Sequence, residues 1–450
     1  MMSKLTAPVV TGLTLTAALM TAVSSHAEIA IDAQLDYEIS AYFNDRATSF
    51  LNSSIVDQRI NNSVSLELEL FTAWDNDDQT ITFKPFFRQD EMDDERTHGD
   101  IRELMWNKLS DDYELKLGVG KVFWGVTESA HLVDIINQTD SVESIDGEQK
   151  LGQPMVQVLL EREWGNLDLF VLPYFRERTF AGSQARLSAG LDYAAADYES
   201  SSAEQNIDFA MRFNSYIDDF EYALSAFHGT SREAVVGFDY KAVDGVLVAD
   251  QFRSYYPIIS QIGVEVQYLN EGWAWKFEGI VRDGVPVSYY VNSTELLTWI
   301  LQSEVIEELT GEKMPVPETM EISKGENYFA TAAGFEYTQV GIWETRIDLG
   351  WVVEHIYDSR QEKASPGAFE HDVLLATRWA ANDDADSTLL AGVVYDYEYE
   401  DYSVSIEGNT RLFDGLSLAV EARVFAPAND SPQIAFRDED FVKLTLSYYL

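Results

Sequence analysis

The sequence predicts an all-β fold, a transmembrane antiparallel β-barrel of about eighteen strands with sixteen as the alternative, and three observations predict it. Apolar and polar residues alternate through segments of about ten residues. The connections between those segments are short and long by turns. Residues 1–27 read as an export signal.

The alternation is plainest in residues 31–43. Ile31, Ala33, Leu35, Tyr37, Ile39, Ala41 and Phe43 occupy the odd positions, with Asp32, Gln34, Asp36, Glu38 and Ser40 between them. Successive side chains of a strand point to opposite faces, so this spacing gives one apolar and one wet face. Val64, Leu66, Leu68 and Leu70 repeat it, as do Ile262, Val264, Val266 and Tyr268, and Val442, Leu444, Leu446 and Tyr448. The expected strands are 31–43, 62–74, 80–89, 99–109, 112–123, 153–164, 166–176, 205–215 and 219–229. The others are 259–269, 272–282, 326–338, 342–355, 370–382, 386–398, 402–412, 415–425 and 438–449. A tilted strand of roughly ten residues crosses a bilayer, whereas soluble sheets favour about 5–6.

Short connections such as Asp75-Asn76-Asp77-Asp78, Asn270-Glu271 and Asp414-Gly415 carry residues that tolerate positive φ or bond their own backbone. Long ones fall at 44–61, 126–152, 177–204, 230–258, 283–325, 356–369 and 426–437. Tight periplasmic turns on one rim and long extracellular loops on the other give this asymmetry. Trp273, Trp275, Trp343, Trp351, Tyr448 and Tyr449 sit where aromatic girdles meet the two membrane interfaces. Within the 283–325 loop, Asn292-Ser293-Thr294 can cap a helix, and Leu296, Leu297, Ile300, Leu301, Val305 and Leu309 follow at helical spacing. That amphipathic helix is expected either packed as a lid over the barrel mouth or against neighbouring loops, or as a constriction folded into the lumen.

Lys4, an uncharged stretch from Leu5 to about Val23, and Ser24-Ser25-His26-Ala27 have the order of a secretory signal cleaved after Ala27. No Cys follows to carry a lipid anchor. Beyond it, no run of about 20 apolar residues offers a transmembrane helix. The formal charge is −46, and loss of Lys4 takes the exported chain to −47. Such acidity excludes nucleic acid as a partner, since phosphate is repelled. The lack of Cys also removes disulfides and thiolate metal sites.

From Asp100 onward the chain resembles the Gram-negative porin-like outer-membrane β-barrel family. The residues that carry the likeness are Arg102-Glu103, Leu117-Gly118-Val119-Gly120-Lys121, Trp124-Gly125, and Asp134, Asn137 and Asp140 in the following loop. Trp275-Lys276-Phe277-Glu278, Phe335-Glu336-Tyr337-Thr338, Asp348-Leu349-Gly350 and Asn382-Asp383 are similar to strand ends of the same group. The resemblance implies an outer-membrane barrel that passes or binds small hydrophilic solutes, monomeric or trimeric, amid outer-membrane lipids and lipopolysaccharide. Barrels of that group end in Phe or Trp, which the barrel-assembly machinery reads; this chain ends Tyr448-Tyr449-Leu450.

If the apolar set faces lipid, the lumen is lined by Lys116, Glu161, Arg176, Arg212, Glu265, Lys276, Glu278, Arg346, Asp348, Arg378, Asp396 and Arg411. Glu407, Glu421, Arg423 and Lys443 join them. Acids and bases are nearly balanced there, so they either set up a transverse field or neutralise one another. The surplus acid then belongs to loops and turns, an acidic vestibule favouring cations. No cofactor is expected, though Asp75/Asp77/Asp78 and Asp90/Asp93/Asp94 have the oxygen ligands Ca²⁺ prefers. No HExxH, GxSxG, Walker A or GxGxxG motif occurs, and His228 with Ser231 or His371 with Asp372 are the nearest approach to a catalytic pair. The expected function is a porin-like, non-enzymatic channel, with a plugged barrel acting as receptor, adhesin or secretion component as the alternative.

Overall fold

The computed structural model describes residues 29–45, 58–188, 190–286, 288–323, 325, 327–361 and 370–450. The expected export signal lies outside them. In chain order the strands are β1 (Ile29–Tyr42), β2 (Ile60–Trp74), β3 (Gln79–Asp90), β4 (His98–Leu109), β5 (Glu114–Gly120), β6 (Gln153–Arg162), β7 (Gly165–Leu172) and β8 (Asp197–Tyr198). Next come β9 (Asp208–Ile217), β10 (Phe220–Thr230), β11 (Val235–Val243), β12 (Val246–Tyr256), β13 (Ile258–Asn270), β14 (Trp273–Asp283), β15 (Ser288–Val291) and β16 (Met320–Ser323). The last are β17 (Tyr328–Gln339), β18 (Asp348–Asp358), β19 (His371–Ala380), β20 (Thr388–Asp396), β21 (Asp401–Phe413), β22 (Leu416–Ala426) and β23 (Phe441–Tyr449). Helix α1 spans Ser293–Thr310.

Eighteen of these strands form one sheet in which each pairs antiparallel with its sequence neighbours. β1 pairs with both β2 and β23, which closes the cylinder. At that seam Leu450 donates its N–H to the Ala33 carbonyl at 2.9 Å. Closure leaves no unpaired strand edge, the condition for a sheet to survive in hydrocarbon.

All eighteen expected strands are found, and two of the boundary shifts have evident local causes. The segment expected at 112–123 leaves the sheet at Gly120, where the chain turns into the lumen. The one expected at 342–355 begins at Asp348, because left-handed Gly341 (φ 65°) opens a short 3-10 turn over Ile342–Glu344. Left-handed backbone at Asp75, Asn76 and Asp77 forms the β2–β3 turn, as their side chains allow. The remaining strands stand beyond the wall on the long-loop side. β11 and β12 form a hairpin with β8 against it, and β15 pairs with β16.

Register assigns the faces. Leu224 on β10 lies opposite Phe213 and Val264, and Ser225 opposite Arg212 and Gly263. Leu224 is 51% exposed, whereas Ser225 is buried. Near the short-turn rim Trp273 stacks on Tyr337 with centroids 4.4 Å apart, beside Trp275 and Phe335. No helix among the described residues is long and apolar enough to cross a membrane; this wall crosses with strands. A sealed cylinder, greasy outside with girdled rims and ionised within, is an outer-membrane barrel.

Helix α1 forms with the expected cap, the Asn292 side chain accepting the Glu295 N–H at 2.9 Å. It packs on the elements of its own long loop, nearer the first expectation than the second. Trp299 is buried and donates to the Met314 carbonyl at 3.2 Å. Leu297, Ile300, Leu301, Val305 and Leu309 remain exposed. The segment that enters the lumen is 121–152.

Candidate functional site

Residues 121–152 fold inward because apolar side chains and wall carboxylates hold them there together. Trp124, Val133, Ile135 and Ile136 are at most 3% exposed and pack on Met105, Met155, Phe170, Phe227, Ile259, Ile280 and Ala330 of the wall. A loop entering the barrel loses water from its backbone amides, and each then needs an acceptor. Glu278 Oε1 accepts the Val126 N–H (2.7 Å), the Thr127 N–H (2.9 Å) and the Thr127 hydroxyl (2.6 Å). Glu354 accepts the N–H groups of Glu128 and Ser129 and the Ser129 hydroxyl at 2.6–2.9 Å. Asn137 closes the loop base, accepting the Val122 N–H and donating to the carbonyls of Gly120 and Leu151. Arg232 donates to the Ile136 carbonyl and pairs with Asp208 at 2.7 Å. Farther on, Asp140 pairs with Arg102, Glu143 with Arg88 at 2.9 Å, and Asp146 with Arg423 at 2.8 Å. Gly125 is required at its position: φ is +136°, and a Cβ there would stand 2.9 Å from Glu278 Oε1.

The twelve lining candidates separate into three groups. Lys116, Arg212, Glu265, Lys276, Glu278 and Arg378 are on the wall strands and make inward contacts. Lys116 lies 3.4 Å from Glu114, and Arg212 donates both arms of its fork to Glu265 at 2.9 and 2.8 Å. Lys276 pairs with Glu336, and Arg378 with Glu128 of the inward loop. Arg176 stands beyond the end of β7 but reaches back to Asp100 at 2.8 Å, while Asp396 caps the N–H groups of Glu398 and Tyr399 at the long-loop rim. Glu161, Arg346, Asp348 and Arg411 gather at the short-turn rim. There Asp348 accepts from Gly341 and Asn382, and Arg411 pairs with Asp386. Arg346 is exposed in the turn before β18. Glu407, Arg423, Glu421 and Lys443 form one chain of ion pairs across β21–β23.

Glu354 escaped the sequence reading, although the alternation that picks Arg346 and Asp348 runs on to it. Arg88, Arg232 and Glu143 escaped too. The signal for the inward loop was Leu132-Val133 and Ile135-Ile136, two large apolar pairs in a connection otherwise bound for water.

The expected Ca²⁺ clusters use their carboxylates on local donors. Asp75 accepts from Gln79, Asp90 from Asn61 and from the N–H groups of Met92 and Asp93, and Asp93 from those of Glu95 and Gly182. Among the described residues no three His, Asp or Glu side chains converge as metal ligands. Nor are the drafted catalytic pairs assembled. His228 Nδ1 lies 3.0 Å from Ser260 Oγ, while Ser231 donates to the Glu233 carbonyl. Adjacent on β19, His371 and Asp372 point to opposite faces.

Burial pushes the Asp134 carboxyl up to about 6, an effect that Lys150 at 3.5 Å only partly offsets. The seated loop therefore holds this proton more tightly than a released loop, whose carboxyl titrates near 3.8. Seating is strengthened as pH falls through about 6 toward 4, by about 2–3 kcal/mol at most. Hydrogen exchange of residues 122–136, corrected for intrinsic rates, is expected to be slower at pH 5 than at pH 7.5. Asp134→Asn should reduce that difference, leaving the part that His131, whose protonated form is favoured beside Glu148, contributes with the same sign.

No protein-family model matches the chain, and no curated protein matches it. Among solved structures it is similar to OmpT, an outer membrane protein of Vibrio cholerae, at 8% identity over 94% of this chain and 99% of that one, TM-score 0.42. OprB of Pseudomonas putida is similar at 10% identity over 98% and 97%, TM-score 0.42. The outer membrane channel DcaP of Acinetobacter baumannii is similar at 9% identity over 95% and 99%, TM-score 0.41.

Proposed function

We propose that the chain is an outer-membrane channel through which small hydrophilic solutes pass, narrowed by the inward loop and favouring cations. One observation carries this reading: the inward ionised side chains on the side away from Glu278 and Glu354 still meet water. Glu69, Lys84 and Glu103, joined at 2.9 and 3.7 Å, have side chains 39%, 29% and 32% exposed, and Glu407 is 45% exposed. Charges of both signs facing a wet lumen order water and select solutes by charge and dipole. The surplus of acid, 77 Asp and Glu against 31 Lys and Arg, supports the cation preference, since a net negative field concentrates cations and repels anions.

The purified chain reconstituted in planar bilayers is expected to give steady single-channel currents, with reversal potentials in a salt gradient of cationic sign. Anionic reversal potentials would remove the cation preference alone. Silence from a correctly folded barrel would remove the channel, and it would favour a receptor built on the extracellular hairpins.

A further inference from the structure

We propose that Glu370, Asp372, Asp396 and Asp401 form a proton-held latch, which closes the outer ends of β19–β21 and releases them as pH rises. The latch concerns the wall at the extracellular rim and does not depend on the channel reading.

Register brings the carboxyls together. Asp372 on β19 lies directly opposite Asp396 on β20, and Asp396 directly opposite Asp401 on β21. Asp372 and Asp396 share the face on which Leu374 and Val394, two residues along, pack together. Glu370 precedes β19, and its carbonyl accepts the Asp358 N–H at 2.8 Å, which holds it beside the end of β18. The four residues are only 4–6% exposed. Like charges directly opposite on neighbouring strands repel, and burial sharpens the repulsion.

No base offsets them. Among the described residues none of the four pairs with Lys, Arg or His. Arg360 donates to Asp358 at 2.7 Å and to Glu233 at 2.8 Å, and His371 meets Glu398. The other titratable groups around the cluster, Asp358, Tyr397, Glu398 and Asp430, are all acids. Asp396 is provided with donors, the N–H groups of Glu398 and Tyr399 at 2.8 and 3.1 Å. Asp401 is not so provided at Oδ2, which is buried without a hydrogen-bond partner and out of reach of water. A carboxylate oxygen so placed is neutralised by a proton, the one ligand that needs no cavity.

Burial and the carboxylates of Asp396 and Asp372 push Glu370 up to about 8, against 4.5 for the free side chain. The closed rim therefore binds this proton more tightly than the released one. Closure is fully supported below about 4.5 and is lost as pH climbs through about 8.

The test is hydrogen exchange of the full chain folded in lipid vesicles, in EDTA, at pH 6 and pH 9, with rates corrected for intrinsic chemistry. Protection of residues 372–376 and 392–396 is expected to fall about tenfold or more between the two, while residues 155–160 of β6 keep theirs. Glu370→Gln with Asp372→Asn removes two of the four charges and should keep protection at pH 9 near its pH 6 level. Asp401→Asn tests the latch through a different member and should reduce the loss. Heat-modifiable gel mobility confirms that each variant is folded. Equal protection of the wild-type rim at the two pH values would overturn the latch. So would a loss in the folded variants as large as in the wild type, or a loss that β6 shares. An electrically silent barrel whose rim loosens sustains the latch while the channel reading falls; a conducting barrel with a fixed rim sinks the latch alone.

Discussion

Glu278→Ala is expected to free residues 126–133 from the wall and to lower the stability of the folded barrel by about 3–5 kcal/mol. Glu278 is fully buried, and its carboxylate meets two backbone N–H groups and one hydroxyl at 2.6–2.9 Å, with the Val133 N–H at 3.4 Å. Removing it deletes a charge-assisted acceptor and strands those donors where water does not reach them. Glu278→Gln keeps one carbonyl oxygen and loses the charge, so a smaller loss of about 1–3 kcal/mol is expected. Urea titration of the reconstituted barrel measures both losses. Hydrogen exchange across 122–133 reports whether the loop has come loose. A loss below about 1 kcal/mol for the alanine variant, typical of a mere surface change, would mean that Glu278 does not hold the loop.

Leu224→Arg is expected to cost about 2–4 kcal/mol, the penalty for a guanidinium at the bilayer midplane. Leu224 faces outward near the middle of β10, with Phe213 and Val264 beside it. Phe220→Arg, on the same face but next to the short turn, should cost only about 0–1 kcal/mol, because near the interface the charge reaches the headgroups. The depth dependence is the signature of lipid on this face. Equal costs at the two positions in lipid vesicles would contradict it.

The wall was legible because its cause is local. Ile31 through Phe43 show their alternation without reference to any other strand, and the Asp-Asn-Asp run at 75–77 dictates its own turn. Helix α1 was legible for the same reason: Asn292 caps it from within three residues. What it buries was not, since the spacing of Leu296, Leu297, Ile300 and Leu301 does not say which of them meets another surface. Trp299 is the residue that does. The inward loop was hidden because its acceptors are distant in sequence. Val126 finds Glu278 152 residues away, and Glu128 finds Glu354 226 residues away. The extracellular strands β11 and β12 were hidden too, because Val246-Leu247-Val248-Ala249 lacks the two-residue beat. Among the lining candidates, parity picked the right face for Arg212 and Glu265. It could not tell a mid-wall residue from one that closes a turn, as Asp348 and Arg411 do.

The central claim to test is that residues 121–152 lie inside a closed barrel. The chain has no cysteine, so Glu128→Cys with Arg378→Cys gives a clean pair between the inward loop and the wall. Two long side chains in an ion pair hold their backbones too far apart for a direct disulfide, and a short bifunctional thiol reagent is the appropriate bridge. With the variant folded in lipid vesicles, rapid intramolecular cross-linking is expected between these positions and none for a Glu128→Cys/Leu224→Cys pair. Failure of the first pair to link, together with ready labelling of Cys at 128 by a bulky reagent that cannot enter the barrel, would contradict it.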